Sequence, residues 1–414
     1  MKDFFKNIFN CILISAIILT VFSSQIIAYG SAGTVSSFNS ADTGIICIAH
    51  RGDVSAFPEN SVEAVNAASE YDMVSVDVRL TSDGKAVLMA DETTVRMCVD
   101  ARGNTFSGKV SEMSSDELGR LYLRQAHGGT DQPKTRSRVA TLEDALKTAG
   151  GSAELMLNIT IGDFRAVYDT VVACGALNRV VFRFPDSSTD KISALYNSTS
   201  KDAVFVGNYQ GNIIFLATSA VKKCFESGIN VVELGSKNGH GVLYDSFLMK
   251  RFKTGGRAMV SMVGGRCGDR PDNEIGWDDL ISRGYSVIET DYPAELTDYI
   301  KKVEASRSQL ERYYDLYSAV DFAPYTTESE NTLKKALKSA EETLAVPASL
   351  SGLQTAKYDI QKAYSDLTPG SKRQIMHISV SAGRIITAAL CAAAFIASQI
   401  YLYKKREKKI SAGK

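Results

Sequence analysis

Between residues 45 and 300, short apolar runs rich in β-branched residues alternate with longer stretches that have helical periodicity. The apolar runs lie at 45–49, 73–79, 154–159, 179–184, 203–207, 230–234, 258–263 and 286–290. Near-continuous apolar strands separated by amphipathic helices are typical of parallel sheets covered on both faces, so the pattern predicts an α/β domain. Eight strand–helix units favour a closed (β/α)8 barrel of the TIM type, and an open doubly wound sheet is the alternative.

The pattern changes between 302 and 368, where apolar residues recur at helical spacing in three successive stripes. The stripes are Leu310, Tyr313, Tyr317 and Val320; then Leu333, Leu337, Ala340 and Leu344; and then Leu353, Ala356, Ile360, Ala363 and Leu367. Thr327 and Glu330 have the spacing of a capping box at the start of the second helix. The chain is therefore predicted to continue into a small three-helix bundle.

Two longer apolar segments flank these domains. Residues 1–32 combine two early lysines with an apolar run and small residues, which is the pattern of a signal peptide, and an uncleaved anchor is the alternative. Residues 385–403 form a second apolar run followed by a basic tail at 404–414, which predicts a transmembrane helix rather than a buried core helix. With linkers at 33–44 and 369–384, we expect a single-pass protein of the cell membrane whose bulk is extracytoplasmic.

Composition narrows the function classes. Lys and Arg total 47, and Asp and Glu also total 47, so the chain has no overall charge that would attract nucleic acid. The seven cysteines are scattered without a Cys-x-x-Cys pair. We interpret the cysteines as small apolar residues rather than as a disulfide framework or a zinc site.

Several short motifs lie within the predicted strands or in the segments that follow them. They are His50-Arg51-Gly52, Pro58-Glu59-Asn60-Ser61, Ser75-Val76-Asp77, Thr81-Ser82-Asp83-Gly84, Thr141-Leu142-Glu143-Asp144 and Thr290-Asp291-Tyr292-Pro293. In this order the motifs resemble the glycerophosphodiester phosphodiesterase family across residues 45–300. The resemblance implies a TIM-type barrel, and it identifies 92–138 as an insertion over the barrel mouth.

Members of that family hydrolyse phosphodiesters with a bound Ca²⁺ or Mg²⁺, which is held by a Glu-x-Asp pair and a further Glu next to a phosphate-binding Lys. The resemblance places Ser75, Asp77, Asn158 and Thr160 at these four positions, so that only Asp77 keeps a carboxylate. Because the number of charged ligands tunes the affinity of such sites, we expect Ca²⁺ or Mg²⁺ to bind weakly or not at all.

The family also uses two histidines, one as a general base and one as a general acid. The resemblance gives His50 the first role, whereas Ala90 occupies the second position and cannot transfer a proton. Loss of one such group typically costs a factor of about 10²–10⁴ in rate. Arg51 remains next to His50, and the two side chains are candidates for binding an anion such as phosphate. The alternative is that this motif only shapes the end of the first strand.

Other residues are candidates for replacing the missing groups. Glu233 and Asp291 lie at the ends of the sixth and eighth predicted strands, although carboxylates at such places more often cap helices or bind loops. His127 and His240 lie in glycine-flanked loops, where a lone imidazole is usually solvated, and they are candidates for the missing acid. Trp277, the only tryptophan, is expected to pack in the core.

The helical segment 302–368 resembles the FIVAR module of bacterial surface proteins through Pro324-Tyr325-Thr326 and the helix that follows. Three hypotheses follow for the whole chain, each with the lipid bilayer as a partner of the C-terminal helix. In the first, the barrel is a catalytically impaired relative that binds or scaffolds. In the second, it is an active phosphodiesterase with rearranged ligands, which releases glycerol 3-phosphate and an alcohol from glycerophosphodiesters or teichoic-acid-like polymers. In the third, the helical module binds wall polysaccharide or a protein partner and the barrel is a rigid spacer.

Overall fold

The computed structural model describes residues 44–147, 153–211, 213–235, 246–252, 256–263 and 269–370, together with Val35, Phe38 and Cys267. The predicted signal peptide, transmembrane helix and basic tail lie outside these residues, as do His240 and almost all of the two predicted linkers. Among the described residues, no helix is both long and apolar enough to cross a membrane.

Eight parallel strands form a closed barrel. They are β1 (Ile46–His50), β2 (Met73–Leu80), β7 (Leu155–Asn158), β8 (Val180–Arg183), β9 (Val204–Gln210), β10 (Val231–Gly235), β11 (Arg257–Ser261) and β12 (Tyr285–Thr290). β1 pairs with both β2 and β12, with His50 opposite Ser75 and Ile46 opposite Val287, and these two pairings close the sheet. The predicted TIM-type barrel is therefore confirmed.

The side chains of each barrel strand alternate between two environments. Ile46 and Ile48 of β1 belong to the core that fills the barrel, together with inward residues of the other strands such as Met156. Cys47 and Ala49 pack outward against the helices. The same alternation directs the last inward residue of each strand to the barrel mouth, which is where active sites form in this fold.

The barrel helices cover the outside of the strands. They are α1 (Val62–Ala67), α3 (Leu142–Lys147), α4 (Phe164–Ala173), α5 (Thr189–Asn197), α6 (Ile214–Ser227), α7 (Ser246–Met249), α8 (Glu274–Ser282) and α9 (Pro293–Ser318). Ser61 caps α1 by accepting a hydrogen bond from the backbone N–H of Ala64 at 3.1 Å. Trp277 of α8 is buried against Tyr299 of α9, as expected for a core residue. The cysteines in the described part of the chain form no disulfide, which agrees with their interpretation as apolar residues.

The insertion at 92–138 has its own small sheet. β3 (Ala86–Leu88) first pairs antiparallel with β2, and then β4 (Cys98–Val99), β5 (Tyr122–Arg124) and β6 (Lys134–Arg138) form a three-stranded antiparallel sheet with the short helix α2 (Ser115–Leu118). A separate apolar core lies beneath it. The sequence shows little periodicity here because strands of two to five residues are too short to produce a periodic signal.

Three helices form the predicted helical module. α9 is a continuous helix of 26 residues that starts as the last barrel helix and packs against α10 (Thr327–Leu344) and α11 (Leu350–Ser365). The domain boundary that the sequence suggests near residue 300 therefore falls inside one helix. The predicted capping box at Thr327 is wrong, because the N-cap is Thr326, whose side chain accepts a hydrogen bond from the backbone N–H of Ser329.

Candidate active site at the barrel mouth

The last inward side chains of the barrel strands form a polar layer above the apolar interior. All eight strands contribute to it, with the residues His50, Asp77, Asn158, Arg183, Asn208, Glu233, Ser261 and Glu289. Four of these residues, namely His50, Asp77, Asn158 and Glu233, were candidates from the sequence, and the structure brings them together. The other four, Arg183, Asn208, Ser261 and Glu289, were missed.

His50 is held at the mouth by Asp291, which follows β12. The Nδ1 atom of His50 lies 2.8 Å from Oδ1 of Asp291, and the imidazole is almost completely buried. When Nδ1 donates its proton to this carboxylate, Nε2 is left unprotonated and able to accept a proton. Asp291 is a candidate replacement carboxylate from the sequence, and in the structure it is the hydrogen-bond partner of this histidine.

Arg51 connects two carboxylates. Its Nη1 donates to both oxygens of Glu59 at 3.1 and 3.0 Å, and its Nε lies 2.7 Å from Oδ2 of Asp77. The residue has φ 61°, a left-handed conformation that turns the chain sharply at the end of β1. Because these donors already face carboxylates, a phosphate would have to compete with Glu59 and Asp77 for Arg51.

The insertion delivers His127 into the same mouth. Its Nδ1 lies 2.8 Å from Oε2 of Glu59, and its Nε2 lies 3.7 Å from Oδ1 of Asp291. The hydrogen bond with Glu59 is the main cause that raises the pKa of His127. The rings of His50 and His127 are 6.3 Å apart between their centroids. The interpretation of His127 as a merely solvated loop residue is therefore wrong.

Backbone contacts fix the loop that carries His127. The backbone N–H of Glu59 donates to the carbonyl of Ala126 at 2.9 Å, and Gln125 Nε2 donates to the carbonyl of Ala56 at 2.9 Å. Gly128 has φ 70°, and a Cβ at this position would lie 2.4 Å from the sulfur of Met97. Only glycine fits such a close approach in this conformation.

Glu59 is the buried centre of this cluster. Its side chain is about 1% exposed and binds Arg51, Arg96 and His127. Burial alone would raise the pKa of Glu59, but the hydrogen bonds from His127 and Arg96 and the charge of Arg51 lower it on balance. Glu59 therefore stays ionised and positions three cationic or potentially cationic groups at the mouth.

Ala90, at the position expected for the second family histidine, binds an arginine through its backbone. The backbone carbonyl of Ala90 accepts two hydrogen bonds from Arg79, at 3.0 and 2.7 Å. The neighbouring Asp91 binds Arg96 through both of its oxygens, at 2.7 and 2.9 Å. Arg96 also reaches Glu59 at 2.6 Å, so that this side of the mouth is an ion-pair network.

The side chains at the expected metal positions do not fit a divalent cation. Asp77 Oδ2 faces Asn60 Nδ2 at 3.1 Å and Arg51 Nε at 2.7 Å, and its Oδ1 accepts a hydrogen bond from Asn158 Nδ2 at 3.1 Å. These neighbours are all hydrogen-bond donors, which a cation would have to displace. No three His, Cys, Asp or Glu side chains in the described part of the chain are grouped to hold a metal ion.

Thr160, at the position expected for the phosphate-binding lysine, turns away from the cluster. Its Oγ1 donates to Oδ2 of Asp163 at 2.9 Å, and Asp163 in turn precedes α4. Both side chains lie in the exposed turn after β7. Thr160 therefore has a local role in this turn.

Below the mouth, Arg183 lies between two carboxylates. Its Nε and Nη2 donate to the two oxygens of Glu233 at 2.8 and 2.6 Å, and its Nη1 donates to Glu289 at 2.9 Å and to Asn158 Oδ1 at 3.2 Å. All three charged side chains are at most 4% exposed. Glu233, a candidate replacement ligand, is thus the bidentate partner of an arginine.

Burial and charge act in opposite directions in this ion pair network. Burial alone would raise the pKa of Glu289, but Arg183 and His50 lower it on balance, with a smaller contribution from the hydroxyl groups of Ser261 and Ser75. Burial would lower the pKa of Arg183, yet Glu233 and Glu289 raise it. Arg183 and Glu289 are therefore both charged in the folded protein.

Comparison with known proteins agrees with this architecture. Residues 50–206 match the glycerophosphoryl diester phosphodiesterase family. Human glycerophosphodiester phosphodiesterase 1 is 28% identical over 166 residues, which cover 36% of this chain and 48% of that protein. A glycerophosphodiester phosphodiesterase of Caldanaerobacter subterraneus is 32% identical over 118 residues, which cover 28% of this chain and 44% of that protein. The chain thus spans about half the length of the curated relatives it matches.

Two solved structures have a similar fold. A glycerophosphoryl diester phosphodiesterase from Parabacteroides distasonis has a TM-score of 0.50 at 21% identity, and the match covers 65% of this chain and 91% of the other. A protein from Silicibacter pomeroyi that is named for the same activity has a TM-score of 0.51 at 16% identity, covering 66% and 99%. At these identities the likeness shows the fold alone. The family match shows a glycerophosphoryl diester phosphodiesterase family domain over residues 50–206.

Proposed function

We propose that this chain is a membrane-anchored, extracytoplasmic relative of the glycerophosphodiester phosphodiesterases that has lost metal-dependent hydrolysis and binds a glycerol phosphodiester at its barrel mouth. The observation that carries the proposal is the environment of Asp77. Its carboxylate is the one that remains at the expected metal positions, and Arg51, Asn60 and Asn158 already contact it. The anchor and the location rest on the apolar segments of the sequence.

The test is the release of glycerol 3-phosphate from glycerophosphocholine by the purified full-length chain, with EDTA and with excess Ca²⁺ or Mg²⁺. An active relative such as the Caldanaerobacter enzyme is assayed in parallel as a positive control. We expect no cation-dependent release by this chain above the buffer blank. Cation-dependent turnover that disappears in the Asp77→Asn variant would overturn the proposal.

Binding is measured separately by calorimetry, because a chain without turnover must still recognise its ligand. One arm uses glycerophosphocholine and the other uses a glycerol-phosphate teichoic acid, since both contain the glycerol phosphodiester unit. We expect binding of at least one ligand, and weaker binding by the His127→Ala variant. The absence of binding to both would remove the ligand-binding part of the proposal.

The facing histidines favour a second function, which is slow hydrolysis without a metal. In this step, Nε2 of His50 takes the proton from the free hydroxyl of the glycerol unit. The hydroxyl oxygen then forms a bond to phosphorus while the bond from phosphorus to the alcohol breaks, and His127 gives its proton to the departing oxygen. Water subsequently opens the cyclic phosphate to glycerol phosphate. The raised pKa of His127 suits the role of the acid.

Turnover in EDTA distinguishes the two functions. The second function predicts release that persists in EDTA, follows a bell-shaped pH profile and falls by a factor of about 10²–10⁴ in either His50→Ala or His127→Ala. Equal residual release by the wild-type chain and both variants would rule it out. The first function predicts no release in EDTA by any of the three proteins.

A further inference from the structure

We propose that the guanidinium of Arg183 takes the place of the divalent cation at the floor of the barrel mouth, so that a fixed side chain supplies positive charge there without a metal. The inference extends the proposed loss of metal-dependent hydrolysis by naming what replaces the metal. It also stands on its own, because it concerns the charge balance of the folded barrel and holds even if the histidines turn over a substrate.

The first support is that Arg183 is connected to the expected metal positions by hydrogen bonds, either directly or through one intervening residue. Its Nη1 donates to Asn158 Oδ1 at 3.2 Å, and Asn158 donates through Nδ2 to Asp77 at 3.1 Å. On the other side, Glu289 binds Arg183 at 2.9 Å and lies against the hydroxyl of Ser75. Asn158 thus contacts the guanidinium directly, whereas Asp77 and Ser75 are each connected to it through one other residue.

The second support is the number of carboxylates that Arg183 brings together. Glu233 comes from β10, two strands from Arg183 on β8, and Glu289 comes from β12, on the far side of the barrel. Two buried carboxylates in one interior layer repel each other unless a cation lies between them. A hard metal ion bound by carboxylates can supply that charge, and here a fixed side chain supplies it.

The third support is that the side chains at two of the expected metal positions, Ser75 and Asn158, are uncharged. The hydroxyl of Ser75 lies near Glu289, and the amide of Asn158 accepts a hydrogen bond from Arg183 through its oxygen and donates one to Asp77 through its nitrogen. A carboxylate at position 158 would lack the hydrogen that Asp77 accepts, and one at position 75 would lie against Glu289. Uncharged side chains at positions 75 and 158 are therefore compatible with the ion pairs of Arg183, whereas carboxylates there would not be.

The test compares Arg183→Met, which keeps the length of the side chain but removes its charge, with the control Arg257→Met. Arg257 is another buried barrel arginine, whose Nη1 donates to the carbonyl of Gly44 at the opposite end of the barrel. Melting temperatures of the full-length chain are measured in EDTA and in excess Ca²⁺, Mg²⁺ and Mn²⁺, and terbium luminescence serves as a direct probe of cation binding.

The proposal predicts that the wild-type chain has the same melting temperature in EDTA and in each cation. It predicts that Arg183→Met melts at a lower temperature in EDTA, recovers part of this loss in at least one divalent cation and binds terbium. Arg257→Met should melt lower without any recovery. If Arg183→Met is insoluble in EDTA, its recovery in soluble form when it is refolded with Ca²⁺ has the same meaning.

Two results would overturn the proposal. One is a wild-type chain that cations stabilise through a site abolished by Asp77→Asn, because the metal would then bind in addition to Arg183. The other is an Arg183→Met variant that no cation stabilises or renders soluble, because Arg183 would then be a purely structural ion pair. Both results come from melting and cation-binding measurements and not from turnover. Failure of the Arg183 proposal is therefore distinguishable from failure of the proposed function.

Discussion

The buried carboxylate of Glu59 accepts a hydrogen bond from the Nδ1 of His127 at 2.8 Å and thereby joins the first barrel loop to the insertion. The contact raises the pKa of His127 above 6.5 and contributes to lowering the pKa of Glu59 below 4.5. A raised histidine pKa gives stability that is fully present below the unfolded value and is lost as the pH rises through the folded value. A lowered glutamate pKa gives stability that is present above its unfolded value and is lost as the pH falls through the folded value.

These signs predict how the His127→Gln variant depends on pH. Its deficit in melting temperature relative to the wild type should be largest between about pH 5 and 6.5 and should shrink toward pH 9, because only the protonated imidazole adds charge to the hydrogen bond. Thermal melts across this range in a constant ionic strength check the prediction. A deficit that grows with pH would contradict it.

Gly128 should be required for placing His127. Gly128→Ala forces a Cβ to within 2.6 Å of the carbonyl of Arg96, whereas Gly129→Ala, also at a positive φ, meets nothing within 4 Å. Positive φ alone costs each variant roughly 1–2 kcal/mol, and only Gly128→Ala adds a collision. Chemical denaturation should therefore show the larger loss for Gly128→Ala, together with loss of any binding that requires His127. Equal losses in the two variants would argue against this account.

Restoring the family's side chains should not be enough to restore a metal site. The fourfold variant Ser75→Glu, Ala90→His, Asn158→Glu and Thr160→Lys adds two carboxylates to a layer that already contains Glu289. We expect no calcium-dependent release of glycerol 3-phosphate, since the added charges oppose those already buried.

Adding Arg183→Met to this fourfold variant should open room for a cation and make its melting temperature depend on calcium. The two variants are compared in the same release and melting assays. Calcium-dependent turnover by the fourfold variant alone would show that loss of ligands is the whole defect.

Asp278 should connect the helical module to the barrel. Its carboxylate accepts hydrogen bonds from the hydroxyl of Tyr299 at 2.8 Å and from the backbone N–H of Ser351 at 3.0 Å. Asp278→Ala should lower the free energy of unfolding by about 1.5–3 kcal/mol, which is typical of hydrogen bonds to a charged group. Asp298→Ala, which breaks an exposed pair with Lys301, is the control and should change little. An equal effect of both substitutions would contradict this role for Asp278.

The barrel was predictable from the sequence because each strand is a short apolar run, and the runs recur at similar intervals except across the insertion between 79 and 154. The site was predictable only in part. His50, Asp77 and Asn158 follow from motifs, whereas Arg183 and Glu289 carry no motif. They were still detectable in principle, since each lies two residues after an inward valine, at Val181 and Val287, and therefore on the same face of its strand.

The position of His127 had no such signal. It depends on a loop between short strands, on the left-handed conformation of Ala126 and on the close packing of Gly128. None of these features produces a periodic pattern of apolar residues in the sequence. The solvated-loop interpretation of a histidine between glycines failed because the partner, Glu59, lies far away along the chain. Tertiary contacts of this kind are invisible to local pattern reasoning.

The unbroken helix Pro293–Ser318 begins two residues after Asp291, the carboxylate that holds His50. At 1.5 Å per residue it is about 39 Å long, and it belongs to the barrel at one end and to the helical module at the other. The barrel and the helical module are therefore joined by a continuous helix rather than by a flexible linker. A force on the module would be transmitted along this helix to the part of the barrel rim where Asp291 holds His50.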